Sequence, residues 1–158
     1  MKNVLVLGSG AREVAIVRSI SQSLIENSIF CISKDINPQI SRLCKDYFVS
    51  DVEAVSNIVA YSKEKEIDLA IIGPENPLAS GVVNELELVG VRCVGPKKEV
   101  AMIEASKSFA RTIIDLCCPE KNPKRREFSS AEGVEEFIKQ LGGEYVIKFD
   151  GLMGGKGV

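Results

Sequence analysis

The chain has 158 residues, a formal net charge of −2, 45% hydrophobic residues and no histidine. That length suits one domain with a proper core, or one domain plus part of another. The near-neutral charge excludes a broad electrostatic footprint for nucleic acid, and no apolar run approaches the roughly 18–20 residues that span a bilayer.

The first apolar run, "NVLVLG" (Asn3–Gly8), is short, continuous and ended by glycine, as a buried parallel strand should be. It is too short for a signal-peptide core, and Arg12 and Glu13 follow at once, so a cytoplasmic chain is expected. From Ala11 to about Leu24, Val14, Val17, Ile20 and Leu24 recur at helical spacing. "SIFCIS" (Ser28–Ser33) reads as a second strand and "YFVS" as a short third. Val52, Val55, Ile58 and Val59 mark another amphipathic helix. "DLAIIG" (Asp68–Gly73) is a fourth buried strand, Leu78 to Leu88 a further helix, and "VRCVG" (Val91–Gly95) closes the series. Such alternation predicts an α/β fold with a doubly wound parallel sheet over residues 1–100.

Residues 101–158 change character. Helical stretches around Lys97–Ile103 and Ser106–Leu116 lead to "CCPEKNPKRRE", whose prolines and charges suit a linker or surface loop. A short strand at about Arg126–Phe128, a helix over Ala131–Leu141 ending at Gly142-Gly143, and a strand "YVIKF" are expected next. In that strand Val146 and Lys148 would share one face. Cys31, Cys44, Cys93, Cys117 and Cys118 form no CxxC pair, so buried free thiols are expected rather than a disulfide framework or a zinc site.

Four loops carry candidate chemistry. "GSGAREVA" follows the first strand, where Gly8 and Gly10 could let backbone amides approach an anion at a helix N-terminus, with Arg12 beside them. A dinucleotide fingerprint would want glycine where Glu13 stands, although Asp35 could imitate its ribose-binding acid. A purely structural turn is the plain alternative. Asn37-Pro38 after the second strand is a turn signal. "GPENPLASG" after the fourth sets Glu75 and Asn76 between Pro74 and Pro77, behind Gly73, at the sheet edge where ligands bind. A cap and turn before the next helix would explain it as well. The tail "GLMGGKGV" lacks the Walker A spacing, yet a glycine flap behind a strand lysine can lay N–H groups along a triphosphate.

Together "VLVLGSGAREVA", "IIGPENPLASGVV", "GVRCVGPKKEVAMIEASKSFAR" and "VIKFDGLMGGKGV" resemble successive motifs of the phosphoribosylamine–glycine ligase family, in their expected order. The resemblance implies a pre-ATP-grasp α/β domain followed by the truncated start of an ATP-grasp domain. It also implies ATP-dependent ligation of glycine to phosphoribosylamine in purine biosynthesis. Carried over by position, Lys107, Lys148, Gly151, Gly154, Gly155, Lys156 and Gly157 would serve ATP. Gly8, Gly10, Arg12, Glu13, Asn37, Pro38, Gly73, Pro74, Glu75, Asn76 and Pro77 would line the phosphoribosylamine site. Mg or Mn would belong to the full-length enzyme, with no metal ligands in this chain, and the chain alone should be inactive. The remaining part could come as a separate chain. Two departures stand out, Val14 where the family usually has histidine and Gln39 where it usually has glycine after the proline. The alternatives are a non-catalytic phosphosugar-binding subunit that needs a partner, or an NAD-dependent oxidoreductase domain.

Overall fold

The computed structural model describes residues 1–154. The chain divides into two compact units, Met1–Ala101 and Met102–Val158. The first unit runs β1 (Lys2–Leu7), α1 (Ala11–Ser21), β2 (Asn27–Ser33), α2 (Pro38–Ser41), β3 (Asp46–Val49), α3 (Val55–Glu64), β4 (Leu69–Ile72), α4 (Glu75–Ser80), α5 (Val82–Leu88) and β5 (Arg92–Val94). Every strand pairing is parallel, in the order β3-β2-β1-β4-β5. α6 (Lys98–Ala105) crosses the boundary between the units; α7 (Lys107–Cys117), a 3-10 turn at Pro119–Lys121 and α8 (Val134–Leu141) follow.

The sheet forms because its inner strands are apolar on both faces. Successive side chains of a strand point to opposite faces. Leu5, Leu7, Phe30 and Ile32 therefore pack with Ile58 and Tyr61 of α3 and Val82, Val83 and Leu86 of α5. On the other face Val6, Ile29 and Cys31 meet Val17 of α1 and Ile40 of α2. Helices on both faces make the sheet doubly wound, and Leu5, Val6 and Leu7 are fully buried. Truncating Leu5 to alanine should cost about 2–5 kcal/mol.

Several boundaries differ from expectation. The helix expected over Leu78–Leu88 is two helices, because Gly81 adopts φ +90 and both ends α4 and begins α5. α1 stops at Ser21, leaving Leu24 wholly exposed. α8 starts at Val134 rather than Ala131, after Gly133 at φ +76, and ends at Gly142 in the left-handed region as expected. No strand forms at 126–128 or over 145–149. A strand is completed by a neighbouring ladder, and none is supplied there among the described residues. Tyr145, Val146, Ile147 and Phe149 are instead half-exposed or more, and Lys148, expected to share a strand face with Val146, is exposed. No residue from 102 to 154 is buried. All five cysteines are free thiols, but only Cys31 is buried, and Cys117 and Cys118 are exposed.

Candidate functional site

Strands β2, β1 and β4 lie side by side and parallel, so the loops after them open at one edge of the sheet. The strand order turns around between β1 and β4, the place where open α/β sheets hold ligands. Gly8 leaves β1 at φ +104, a conformation glycine adopts without strain, and its N–H continues the ladder to the Ile32 carbonyl at 2.9 Å. The Gly73 N–H likewise continues the ladder after β4, donating to the Leu7 carbonyl at 3.1 Å.

Glu13 fills the space between these two loops. It is 6% exposed, and its Oε2 accepts the Gly10 N–H at 2.6 Å, capping α1. A Cβ on Gly73 would stand 2.0 Å from Oε1, one on Gly10 2.8 Å from Oε2, and one on Gly8 3.1 Å from Glu13 Cγ. The glycines are therefore demanded by a side chain of the protein itself. The amide of Gly10, expected to be free for an anion, already holds a carboxylate. Arg12 does not stand free beside the turn either; its Nη1 donates to the Gly73 carbonyl and ties the start of α1 to the loop after β4.

The loop after β2 is joined to the same edge. Asn37 Nδ2 donates to the Ser9 carbonyl at 2.8 Å, while its Oδ1 accepts the Gln39 N–H at 2.9 Å and caps α2, with Pro38 in the first turn. Tyr47 on β3, a residue without any short-range sequence signal, clamps this loop. Its hydroxyl lies 2.5 Å from Ser33 Oγ and 2.9 Å from the Asp35 carbonyl, and accepts the Asn37 N–H at 3.2 Å. Burial pushes the Tyr47 phenol up, against the lowering effect of the Ser33 and Asn37 hydrogen bonds. Gln39 Oε1 accepts from Arg18 Nη2 at 2.8 Å, which holds that side chain against α1. Beneath the turn, Cys31 Sγ donates to the Gly8 carbonyl at 3.5 Å.

In the loop after β4, Pro74 caps α4, Glu75 opens it half-buried, and Pro77 is buried. Asn76 is exposed, and its Nδ2 donates to Glu53 Oε1 at 3.0 Å.

The second unit carries its own cleft, about 1200 Å³, lined by Lys107, Arg111, Lys124, Arg126 and Lys148 among others. Asp150 lines it too, a residue the motif reading missed. Its carboxylate accepts the Lys107 N–H at 2.6 Å, the Ser106 hydroxyl at 3.1 Å and the Ser108 hydroxyl at 3.0 Å, so it caps α7 together with Ser106. Desolvation works to raise the Asp150 carboxyl, but the Ser108, Ser106 and Lys107 hydrogen bonds outweigh it and hold it below the usual carboxylate range. Lys107 Nζ donates to the Gly151 carbonyl at 2.7 Å, and Gly151 and Gly154 have φ of +98 and +55. Gly155, Lys156 and Gly157 lie outside the described residues. Among the described residues no group of three or more His, Cys, Asp and Glu is placed to hold a metal ion, and no helix is long and apolar enough to cross a membrane.

The profile of the family described as "Phosphoribosylglycinamide synthetase, N domain" matches residues 2–104. A protein named phosphoribosylamine–glycine ligase from Methanococcoides burtonii is 42% identical over 156 residues, covering 99% of this chain and 36% of that protein. The chain thus spans 36% of the length of that curated relative. Among solved structures, phosphoribosylglycinamide synthetase from Anaerococcus prevotii superposes with a TM-score of 0.65 at 13% identity, over 88% of this chain and 34% of that one. The biotin carboxylase domain of the Hydrogenobacter thermophilus 2-oxoglutarate carboxylase gives 0.70 at 14% identity, over 90% and 33%. At these identities the structures establish a shared fold.

Proposed function

The chain belongs to the phosphoribosylglycinamide synthetase N-domain family, and from that membership we propose that Met1–Ala101 forms the phosphoribosylamine side of an ATP-dependent phosphoribosylamine–glycine ligase. The observation that carries the reading is the convergence of three loops, Gly8–Glu13, Asn37–Pro38 and Gly73–Pro77, at the switch point of the sheet. These loops line the sugar site. In the other unit, Lys107, Lys148 and the glycines from Gly151 onward serve the ATP phosphates. The cationic lining of that cleft suits a polyanion. ATP, when bound, would supply the phosphoryl group that activates glycine as an acyl phosphate for attack by the sugar amine. The described residues offer no set of ligands that fits a metal ion.

This chain's own groups bind and orient. Asn37 holds the loop after β2 against the loop after β1, Tyr47 fixes that loop's own shape, and Arg12 ties the start of α1 to the loop after β4. Held geometry lowers the ordering cost on binding. On this reading the chain works in the cytoplasm, with phosphoribosylamine, glycine and ATP as its small-molecule partners. The absence of buried residues from 102 to 154 favours a second reading in one respect, that this unit takes its core from further polypeptide, in the same chain or another.

Calorimetric titration of the chain with ribose 5-phosphate and with NAD tests the reading. Ribose 5-phosphate should bind measurably and NAD far more weakly. Tighter binding of NAD would return the fold to the oxidoreductase alternative.

A further inference from the structure

We propose that Cys44 is a site of reversible oxidation by hydrogen peroxide, and that Cys31 beside it closes the oxidised sulfur into an intramolecular disulfide. This site is chemically separate from the phosphoribosylamine and ATP readings above. Of the five free cysteines, these two share one apolar cluster, with Cys31 fully buried in it and Cys44 half-buried against it. The backbone brings them together. Tyr47 of β3 is the register partner of Cys31, and the Lys45 N–H, next to Cys44, donates to the Ile29 carbonyl at 2.7 Å. The Cys44 N–H donates to the Ile40 carbonyl at 3.1 Å, so the turn that carries this thiol is tied to α2 on one side and to β2 on the other.

The two thiols are unequal. Cys31 has a single S–H, which reaches either the Gly8 carbonyl at 3.5 Å or the Cys44 sulfur. Its hydrogen bond to Cys44 holds that thiol below its ordinary value, against desolvation and the Asp46 carboxylate, which work to raise it. The same contact, and burial after it, push the Cys31 thiol up. Thiolate character and access to solvent therefore coincide on Cys44, the two properties that select the attacking sulfur. Cys93 is the contrast within the molecule. It is half-buried too, but burial and Glu87 push its thiol up to about 11. The chemistry balances with the peroxide as oxidant. The Cys44 thiolate attacks the O–O bond and becomes a sulfenic acid, and the departing hydroxide takes back the proton that Cys44 gave up. The Cys31 sulfur then attacks the Cys44 sulfur, an S–S bond forms, and the hydroxyl leaves with the Cys31 proton as water. The chain loses two hydrogens, and the peroxide, having taken two electrons, ends as two waters.

The test uses the chain carrying Cys117→Ser and Cys118→Ser, which removes the two exposed thiols that would compete for oxidant. It is treated with equimolar hydrogen peroxide, the remaining thiols are blocked with N-ethylmaleimide, and tryptic peptides are read by mass spectrometry. Trypsin cuts after Lys34 and Arg42, so Cys31 and Cys44 leave on separate peptides unless they are bridged. A peptide pair joined through these two residues, and separated again by dithiothreitol, is expected. Cys44 should lose its thiol about tenfold or more faster than Cys93. With Cys31→Ser added, oxidation should stop at Cys44 as a sulfenic acid that dimedone traps. With Cys44→Ser added, Cys31 should stay reduced. Unchanged hydrogen exchange of the β1 amides reports that these variants are folded, and the bridge and the rate ratio are measured without either added substitution. Absence of the Cys31–Cys44 bridge, a Cys44 that reacts no faster than Cys93, or oxidation of Cys31 in folded Cys44→Ser overturns the proposal.

Discussion

Gly73→Ala is expected to be costly for a reason that a second substitution can remove. A Cβ there would stand 2.0, 2.6 and 2.7 Å from Oε1, Cδ and Cγ of Glu13. These are separations no relaxation of a few tenths of an ångström accommodates, so the side chain must leave. Its departure breaks the 2.6 Å hydrogen bond to Gly10 that caps α1, a charge-assisted bond worth about 1.5–3 kcal/mol. Repacking the crevice adds about 1–3 kcal/mol, the usual range for overpacking. A total of about 2.5–6 kcal/mol is expected. With Glu13→Ala already in place the obstacle is gone, and Gly73 has no left-handed φ to make alanine strained. Gly73→Ala should then cost less than about 1 kcal/mol, or stabilise slightly by restricting the unfolded chain. Urea unfolding of the four chains, followed by circular dichroism, gives the coupling energy directly. A cost for Gly73→Ala that agrees within about 0.5 kcal/mol in both backgrounds, the limit of additivity, would refute the interlock.

Three further outcomes are expected. Tyr47→Phe removes the hydroxyl shared by Ser33, the Asp35 carbonyl and the Asn37 amide; it should cost about 1–3 kcal/mol and speed hydrogen exchange at Asn37, and unchanged exchange there would contradict the clamp. Asp150 is held below the ordinary carboxylate range in the folded chain, so its contribution is present above the unfolded pKa and lost as pH falls through the lower folded value. Protection of the first α7 amides should therefore hold at neutral pH and decline below about pH 4, and Asp150→Asn should remove that dependence; a decline of equal size in the variant would sink the assignment. Finally, because the chain spans 36% of the length of the M. burtonii relative named for the activity, ATP-dependent ligation of glycine by the chain alone should not exceed a blank, and product above that level would contradict the expectation.

The sheet was readable because its strands carry their own signal. Leu5, Val6 and Leu7 are apolar on both faces, and burial on both faces is what they received. Gly81 was harder, since apolar spacing runs through it from Leu78 to Leu88, and only its left-handed φ shows where one helix ends and the next begins. "YVIKF" shows the opposite failure. Alternating apolar residues describe what a strand could bury, but a ladder needs a partner, which spacing along one segment does not contain. At the candidate site, loop positions followed from strand ends, whereas the direction of Glu13 did not. A signal for it existed: Gly10 and Glu13 stand at the spacing of a capping box, which sends the carboxylate back to its own helix. Tyr47 and Asp150 act on partners distant in sequence, Tyr47 across 10 to 14 residues and Asp150 across more than 40. No local pattern reports such pairings.

Hydrogen exchange of the chain with and without saturating ribose 5-phosphate tests the central claim, that three loops at the switch point of the sheet form one sugar site. Added protection should concentrate at the amides of Gly8, Gly10, Asn37, Gly73, Glu75 and Asn76. Binding that leaves these six amides unchanged while protecting a different part of Met1–Ala101 would contradict it.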